Sequence, residues 1–244
     1  MAKDEATGVH RDITEWAMVN LSERLKFLAG LATAALVVMA TDAVSSQNRQ
    51  QTPPPAVRQL SVGFVADNTY ENDDVGMRYV FPEGWFVDIA AMKSANDAIR
   101  KYATAHGSSL PANYPGSVWL IVSKNAEEPN ATPGSSVHGP SIILSGVVLG
   151  ASDQHKTATE IQTAARRTME KQRGVLRIDG PRSFSIDGQN FSRLDAVIDA
   201  IIYKGDAVTI RNGVRIDFQL VADSKEQLDA LYKSLDTLHF RDRG

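Results

Sequence analysis

The chain has 244 residues, of which 43% are hydrophobic, 23% charged and 7% aromatic. These fractions are near globular averages, so most of the chain is expected to fold around a core. The formal net charge of -3 argues against a non-specific nucleic-acid binder. The absence of cysteine excludes disulfide scaffolds, zinc fingers, iron–sulfur sites, thiol nucleophiles and a lipidated lipoprotein cysteine.

An uncharged apolar stretch occupies residues 27–40, with Arg24 and Lys26 before it and Asp42 after it. It is short for a membrane-spanning helix, which needs about 20 apolar residues, and fits the roughly 7–15 apolar residues of a secretory signal. The basic flank predicts that the residues before the stretch face the cytoplasm and that everything after Val44 lies outside.

A retained anchor and a cleaved signal are both compatible with this pattern. Asp12 and Glu15 have the spacing of a capping box, and apolar residues follow at helical spacing, which favours one retained helix. A start at Met18, with a cleavage site at 41–43, gives a cleaved signal instead, and a buried soluble helix is a third option. The anchor interpretation predicts these membrane-anchor residues: Trp16, Phe27, Leu28, Leu31, Leu36, Val37, Val38 and Met39.

The chain is therefore divided into three segments. Residues 1–43 form the anchor or signal, residues 44–57 form a Ser/Gln/Pro linker, and residues 58–244 form a single α+β domain. The predicted location is the cytoplasmic membrane, crossed once, with the C-terminal domain in the periplasm. The alternative is a periplasmic or secreted domain after signal cleavage.

Within the domain, short runs with strand character alternate with amphipathic segments. Strands are predicted at 77–81, 85–89, 118–123, 141–149, 175–178, 182–186, 191–202, 208–221 and 237–240. Helices are predicted at 94–105, 157–172 and 224–235. Asn212 and Gly213 predict a hairpin turn that splits one strand, and Thr157 with Glu160 predicts a capping box. Strands, hairpins and helices together predict an α+β fold with a mainly antiparallel sheet.

Two stretches resemble PsbP-like proteins. Residues 79–85 (YVFPEGW) are similar to the aromatic, apolar, Pro-x-x-Trp opening strand of that family. Residues 216–227 (IDFQLVADSKEQ) resemble its strand that leads into a Ser-x-Glu helix start. A leucine-striped helix and a last apolar strand follow, with Leu228, Leu231, Leu235, Leu238 and Phe240. The resemblance covers about residues 76–240.

This resemblance implies a Mog1/PsbP-like α/β/α sandwich, preceded here by the N-terminal membrane helix. Such proteins include an extrinsic photosystem II subunit, a Ran-binding protein and many bacterial envelope proteins, and most are binding or assembly modules. The resemblance thus implies a non-enzymatic accessory subunit of a membrane protein complex, such as a photosynthetic or energy-transducing one. The alternatives are a periplasmic small-ligand-binding protein with a pocket near residues 125–140, or a cleaved secreted domain.

No catalytic residue, cofactor or metal ligand is predicted. Common catalytic and nucleotide-binding motifs are missing from the sequence, and the five histidines lack metal-ligand spacing. Asp195 and Asp199 lie on one face of a predicted strand, with Arg193 beside them. This pattern fits an acid–base pair, a cation site or a solvated sheet face. The acidic run 71–74 is interpreted as a solvated turn, because its spacing matches no calcium loop.

Arg166, Arg167, Lys171 and Arg173 give the second predicted helix a basic outer face. Such a face can contact anionic lipid headgroups or an acidic partner. Cations near a helix C-terminus also complement its dipole, which is the purely structural interpretation. These four residues and Tyr114 are the predicted partner contacts, and no nucleic-acid partner is predicted.

Overall fold

A computed structural model describes residues 60–105, 118–124, 139–150 and 153–241. The predicted membrane-anchor residues, the linker and Tyr114 lie outside these ranges, so what concerns them stays a prediction. Among the helices of the described ranges, none has both the length and the apolar content needed to cross a membrane.

The described part of the chain contains eleven strands in two antiparallel sheets. They are β1 (Phe64–Ala66), β2 (Thr69–Asn72), β3 (Met77–Val80), β4 (Phe86–Val87), β5 (Val118–Ser123), β6 (Ser141–Val148), β7 (Val175–Ile186), β8 (Gln189–Ile198), β9 (Ile202–Arg211), β10 (Val214–Ala222) and β11 (His239–Phe240). The seven-stranded sheet has the order β4-β5-β6-β10-β9-β8-β7. The small sheet has the order β1-β2-β3-β11.

Three helices accompany the sheets within these ranges: α1 (Ile89–Ala105), α2 (Ala158–Met169) and α3 (Lys225–Ser234). The predicted capping box at α2 is confirmed, because Thr157 and Glu160 each accept a hydrogen bond from the other's backbone N–H. Ser224 caps α3 by accepting a hydrogen bond from the backbone N–H of Gln227. These caps satisfy backbone donors that have no partner inside the helix.

The two faces of the seven-stranded sheet carry different layers. Ala207 and Val208 are neighbours in β9 and therefore point to opposite faces. Helix α2 covers the Val208 face, where Ile161 is buried. Helix α3 and the small sheet cover the Ala207 face, where Leu231 and Tyr79 join the main core. Since helices lie on both faces of an antiparallel sheet, the predicted α+β class is confirmed.

The start of α1 corrects two predictions. Residues 85–89 were expected to form a strand, but only Phe86–Val87 pair with β5, and the helix already begins at Ile89 instead of residue 94. The carboxylate of Asp88 explains this, because its Oδ1 accepts a 2.7 Å hydrogen bond from the N–H of Ala91, as an N-cap does. Ile89 is 74% exposed on the first helical turn, so its apolar character does not indicate a buried strand.

Other boundaries also differ from the predictions. The predicted strands 175–178 and 182–186 form one strand, β7, with an irregular register between Asp179 and Arg182. The predicted strand 191–202 is instead split, because Asp199 and Ala200 take positive φ angles of 50° and 61° and turn the chain. The predicted helix 157–172 ends at Met169. Neither β1 nor β2 was predicted.

Candidate interaction groove

Three side chains form a compact polar cluster on the Ala207 face. Arg193 and Asp195 are two residues apart in β8, so both point to this face. The guanidinium of Arg193 lies 3.6 Å from the centroid of the Tyr232 ring, and its Nε donates a 2.8 Å hydrogen bond to Asp195 Oδ2. The hydroxyl of Tyr232 donates a 2.7 Å hydrogen bond to Asp195 Oδ1. The cluster thus fixes α3 to β8.

Further ion pairs extend this cluster to the sheet edge and along α3. Arg182 of β7 lies 3.3 Å from both Asp179 and Asp195. Arg193 lies 3.3 Å from Asp229 of α3, which also pairs with Lys225 at 2.5 Å. The Arg182–Asp179 and Lys225–Asp229 pairs are largely exposed on both sides, so each contributes little stability. The main effect of the outer pairs is to hold the two arginines in place.

Tyr232 acts in this cluster as a permanent hydrogen-bond donor. Burial of its ring raises the pKa of the hydroxyl far above its ordinary value, and the adjacent negative charge of Asp195 raises it further. The hydroxyl therefore stays protonated at physiological pH and donates its hydrogen bond to the Asp195 carboxylate.

A groove of about 410 Å³ lies between β7 and the C-terminal half of α3. Its walls carry three cations, two aromatic rings, one hydroxyl and one carboxylate: Arg182, Ser183, Phe184, Arg193, Tyr232, Lys233 and Asp236. Within the described residues, Lys233 forms no ion pair, whereas both arginines share the charge of Asp195. The groove therefore combines aromatic walls with three cations, of which the two arginines are paired with Asp179, Asp195 and Asp229 and Lys233 has no ion pair in the described ranges.

A smaller hollow of about 70 Å³ lies on the other side of Arg193. Its floor is apolar, with Val197, Tyr203 and Leu228, and its rim carries charged residues including Arg177 and Lys225. The Arg193 side chain, stacked on Tyr232, lines both the hollow and the groove.

A second polar cluster lies beneath α2, on the opposite face of the sheet. Arg215 and Asp217 of β10 form a 2.8 Å ion pair and are 9% and 5% exposed. Lys204 and Asp206 of β9 form a second pair at 3.3 Å. Burial raises the pKa of the Asp206 carboxyl, an effect that the charge of Lys204 opposes. The cavity here is only about 60 Å³, so we regard this cluster as structural.

The acidic residues considered from sequence do not form a paired site. Asp195 belongs to the Tyr232 cluster, whereas Asp199 lies in the left-handed turn after β8, so they do not share a strand face. In the acidic run, Asp74 accepts a 2.5 Å hydrogen bond from the N–H of Ser61, as expected of a structured turn. Across the described ranges, no group of three or more Asp, Glu or His side chains is placed to hold a metal ion.

The predicted basic residues are found in two situations. Arg166 is held by the protein itself, since it donates a 2.8 Å hydrogen bond to Glu170 and one to the backbone oxygen of Gly180. Arg167 is exposed on α2. Lys171 and Arg173 are exposed in the turn after the helix, and no ion pair of the described residues includes any of these three. Their role as partner contacts stays a prediction.

Sequence reasoning did not find the groove. The sequence places Arg193 beside two carboxylates, but its local patterns single out neither Tyr232 nor Lys233. The hydrogen bond between Tyr232 and Asp195 joins residues that are 37 positions apart in the chain. The only local signal was the Arg193–Asp195 alternation.

Comparison with known proteins gives structural neighbours only. No family model and no curated protein matches the sequence. Solved structures similar to this chain include cyanobacterial PsbP (CyanoP) from Synechocystis, with 13% identity and a TM-score of 0.41, covering 79% of this chain and 98% of that one.

Two further neighbours are LpqN and Mog1p. LpqN, involved in cell envelope biogenesis of Mycobacterium tuberculosis, has 12% identity and a TM-score of 0.35, covering 66% of this chain and 78% of that one. The Ran-binding protein Mog1p of Saccharomyces cerevisiae has 9% identity and a TM-score of 0.39, covering 68% and 90%. The resemblance to PsbP-like and Mog1-like proteins thus recurs among these structural neighbours. At these TM-scores, it carries no conclusion about function.

Proposed function

We propose that the chain is a non-enzymatic, PsbP-like binding module that docks an acidic segment of a protein partner in the groove beside α3. In this proposal, residues 1–43 anchor the chain in the cytoplasmic membrane and the domain acts in the periplasm as an accessory subunit of a membrane protein complex. The observation that carries the proposal is the groove itself, with cationic and aromatic walls.

The contents of the groove favour a partner with carboxylates beside an apolar or aromatic side chain. Arg182 and Lys233 supply charge at opposite walls, and Phe184 supplies an aromatic surface between them. Arginine and aromatic residues are enriched at the centres of protein interfaces because they bind strongly and lose little entropy. The ion pairs of Arg193 hold the wall before binding, which lowers the cost of ordering it.

Site-specific crosslinking of the full chain in its own membranes tests this proposal. A photo-crosslinking amino acid replaces Lys233 in the groove, and a control chain carries it at Gln154, an exposed residue before α2. We expect one stoichiometric membrane partner to crosslink from position 233 and not from 154. Equal crosslinking from both positions, or none from 233, contradicts the proposal.

Charge reversal gives a second test of the same groove. The partner identified by crosslinking is expected not to co-purify with the double variant Arg182→Glu with Lys233→Glu, because this variant inverts the charge of two walls. Lys93→Glu with Lys101→Glu on α1 is the matched control, since both lysines are exposed and lie outside the groove. Retention of the partner by the groove variant contradicts docking at this site.

The volume of the groove also favours a second candidate function, the binding of a small anionic ligand. Small-molecule sites have volumes of roughly 300–1,000 Å³, and the groove of about 410 Å³ falls in this range. Saturable thermal stabilisation of the full chain by a small aromatic carboxylate or phosphate, lost in the Lys233→Glu variant, would support this function over protein docking.

The proposed location is tested by intact-mass measurement of the protein purified from its own membranes. A mass that includes residue 1 or 2 supports a retained anchor. A mass that starts near Val44 supports the alternative, a cleaved periplasmic or secreted domain, and leaves the groove proposal unaffected.

A further inference from the structure

Two exposed aliphatic side chains lie at one end of the seven-stranded sheet, away from the groove lining. Leu176 is 64% exposed and Ile201 is 47% exposed. They belong to neighbouring parts of the sheet, because Val175 pairs with Ile198 and Ile198 pairs with Ile202. Two large aliphatics are therefore exposed at adjacent strand ends.

The two turns that carry these side chains are joined to each other. The backbone N–H of Asp199 donates a 2.8 Å hydrogen bond to the carbonyl oxygen of Gly174. Gly174 has a φ of 83°, and a Cβ at this position would lie 2.5 Å from Asp199 Oδ1, so only glycine fits this close approach. The turn after α2 and the turn after β8 therefore form one unit.

Exposed cations flank this unit. Arg173 precedes Gly174, Arg177 follows Leu176, and Lys171 and Arg167 precede them at the end of α2. All four side chains are exposed.

The acidic residues nearby compensate only part of this charge. Glu170 pairs with Arg166 at 2.8 Å, and Asp179 pairs with Arg182 at 3.3 Å and lies 4.0 Å from Arg177. Asp199 is exposed in the turn itself. Three cations therefore remain without an ion pair in the described part of the chain, and the surface around Leu176 and Ile201 has an excess of positive charge.

We propose that this surface, called the basic corner and formed by Arg167, Lys171, Arg173, Leu176 and Ile201, binds the surface of an anionic lipid bilayer. Leu176 and Ile201 enter the boundary between headgroups and acyl chains, and the three cations contact lipid phosphates. Aliphatics ringed by Lys and Arg bind anionic membranes through apolar burial and electrostatic attraction together. This contact is independent of the groove and adds a second attachment point for the domain.

The small apolar part of the corner, two exposed aliphatic side chains, favours a bilayer over a protein. A specific protein partner needs a well-packed interface of about 1,000 Å² or more, whereas a bilayer accepts protruding aliphatics without a matching pocket. The groove lining beside α3 includes neither Leu176 nor Ile201.

The absence of cysteine allows a direct test on the full chain. Single cysteines replace Leu176 or Ile201, and each is labelled with an environment-sensitive fluorophore. Phe64→Cys is the matched control, because Phe64 is 53% exposed but belongs to β1 of the small sheet, opposite Glu71 and outside the basic corner. Vesicles contain phosphatidylcholine alone or phosphatidylcholine mixed with phosphatidylglycerol, with a lipid-borne quencher in parallel samples.

With anionic vesicles, we expect a blue shift and quenching at positions 176 and 201, neither at position 64, and loss of both in high salt. Lys171→Glu with Arg173→Glu should weaken the response by about tenfold or more, since each cation near an anionic surface contributes to binding. Lys93→Glu with Lys101→Glu on α1 should leave it unchanged. Unchanged circular dichroism of the labelled chains shows that they are folded.

Three results overturn the proposal. No response at positions 176 and 201 shows that the corner does not reach the bilayer and leaves an acidic protein as its partner. An equal response at position 64 shows non-specific adsorption. An equal response with uncharged vesicles shows that the cations do not contribute. None of these results bears on crosslinking from the groove, so the two proposals fail separately.

Discussion

Tyr232 lies directly against Gly205 on the sheet face that carries the groove. A Cβ at Gly205 would lie 2.5 Å from the tyrosine hydroxyl oxygen and 2.8 Å from two ring carbons. The glycine thus leaves the space in which the ring sits between Arg193 and the sheet. Because Tyr232 forms one wall of the groove, a backbone position in β9 controls the shape of the interaction surface on α3.

Gly205→Ala is expected to destabilise the protein by about 1–3 kcal/mol, since the added methyl group displaces the Tyr232 ring from a packed position. Urea unfolding measures this change. Gly150→Ala is the control, because a Cβ at Gly150 meets nothing within 4 Å, and it should change stability by less than about 0.5 kcal/mol. Equal effects of the two variants would show that Tyr232 does not depend on Gly205.

Tyr232→Phe removes the hydroxyl that donates to the Asp195 carboxylate. Hydrogen bonds to charged groups contribute about 1.5–3 kcal/mol to stability. The variant is expected to lose stability near the lower end of this range, because Arg182 and Arg193 still neutralise Asp195. Tyr203→Phe is the matched control, since its hydroxyl has no hydrogen-bond partner within the described ranges. Equal unfolding midpoints for the two variants would argue against a stabilising role of the Tyr232 hydroxyl.

Local patterns in the sequence predict the elements whose signals are local. Thr157 and Glu160 predict the start of α2, and Asn212 with Gly213 predicts the β9–β10 hairpin, because a cap and a tight turn depend on residues a few positions apart. Local patterns do not predict the turn after β8, since Asp199 and Ala200 take left-handed backbone angles that usually favour glycine.

The groove depends on contacts that local patterns cannot supply. The alternation of Arg193 and Asp195 indicates one face of β8, but not that α3 returns over it. Tyr232 is buried on the inner side of α3, yet an apolar helical stripe does not reveal where its hydroxyl points. The partners of that hydroxyl follow only from the packing of α3 on the sheet.

Stability is expected to fall as the pH rises above about 10, the ordinary pKa of tyrosine. Burial raises the pKa of Tyr70, Tyr79 and Tyr232 in the folded protein, so they stay protonated there while the unfolded chain releases their protons. A pKa that is raised in the folded state contributes stability that is complete below the pKa of the unfolded chain. This contribution is lost progressively as the pH rises above that value.

Urea midpoints measured between neutral pH and pH 11 test this dependence, with absorbance at 295 nm reporting tyrosine ionisation. The Tyr232→Phe variant should show a shallower decline, and Tyr203→Phe should follow the parent protein. Reversible ionisation of all six tyrosines near pH 10 without loss of structure would contradict the expected pH dependence of stability.

Removing one partner of the buried pair of Arg215 and Asp217 should lower the free energy of unfolding more than removing both partners. Asp217→Asn leaves the buried guanidinium uncompensated and is expected to cost about 3–5 kcal/mol, whereas Arg215→Met with Asp217→Leu removes both charges and should recover most of this loss. Lys225→Gln, which breaks a pair whose lysine side chain is 64% exposed, should cost less than about 1 kcal/mol. If the single and double variants at β10 unfold at the same urea concentration, the charge of Arg215 is already compensated by another group. In that case Asp217 is not the partner that makes its burial tolerable.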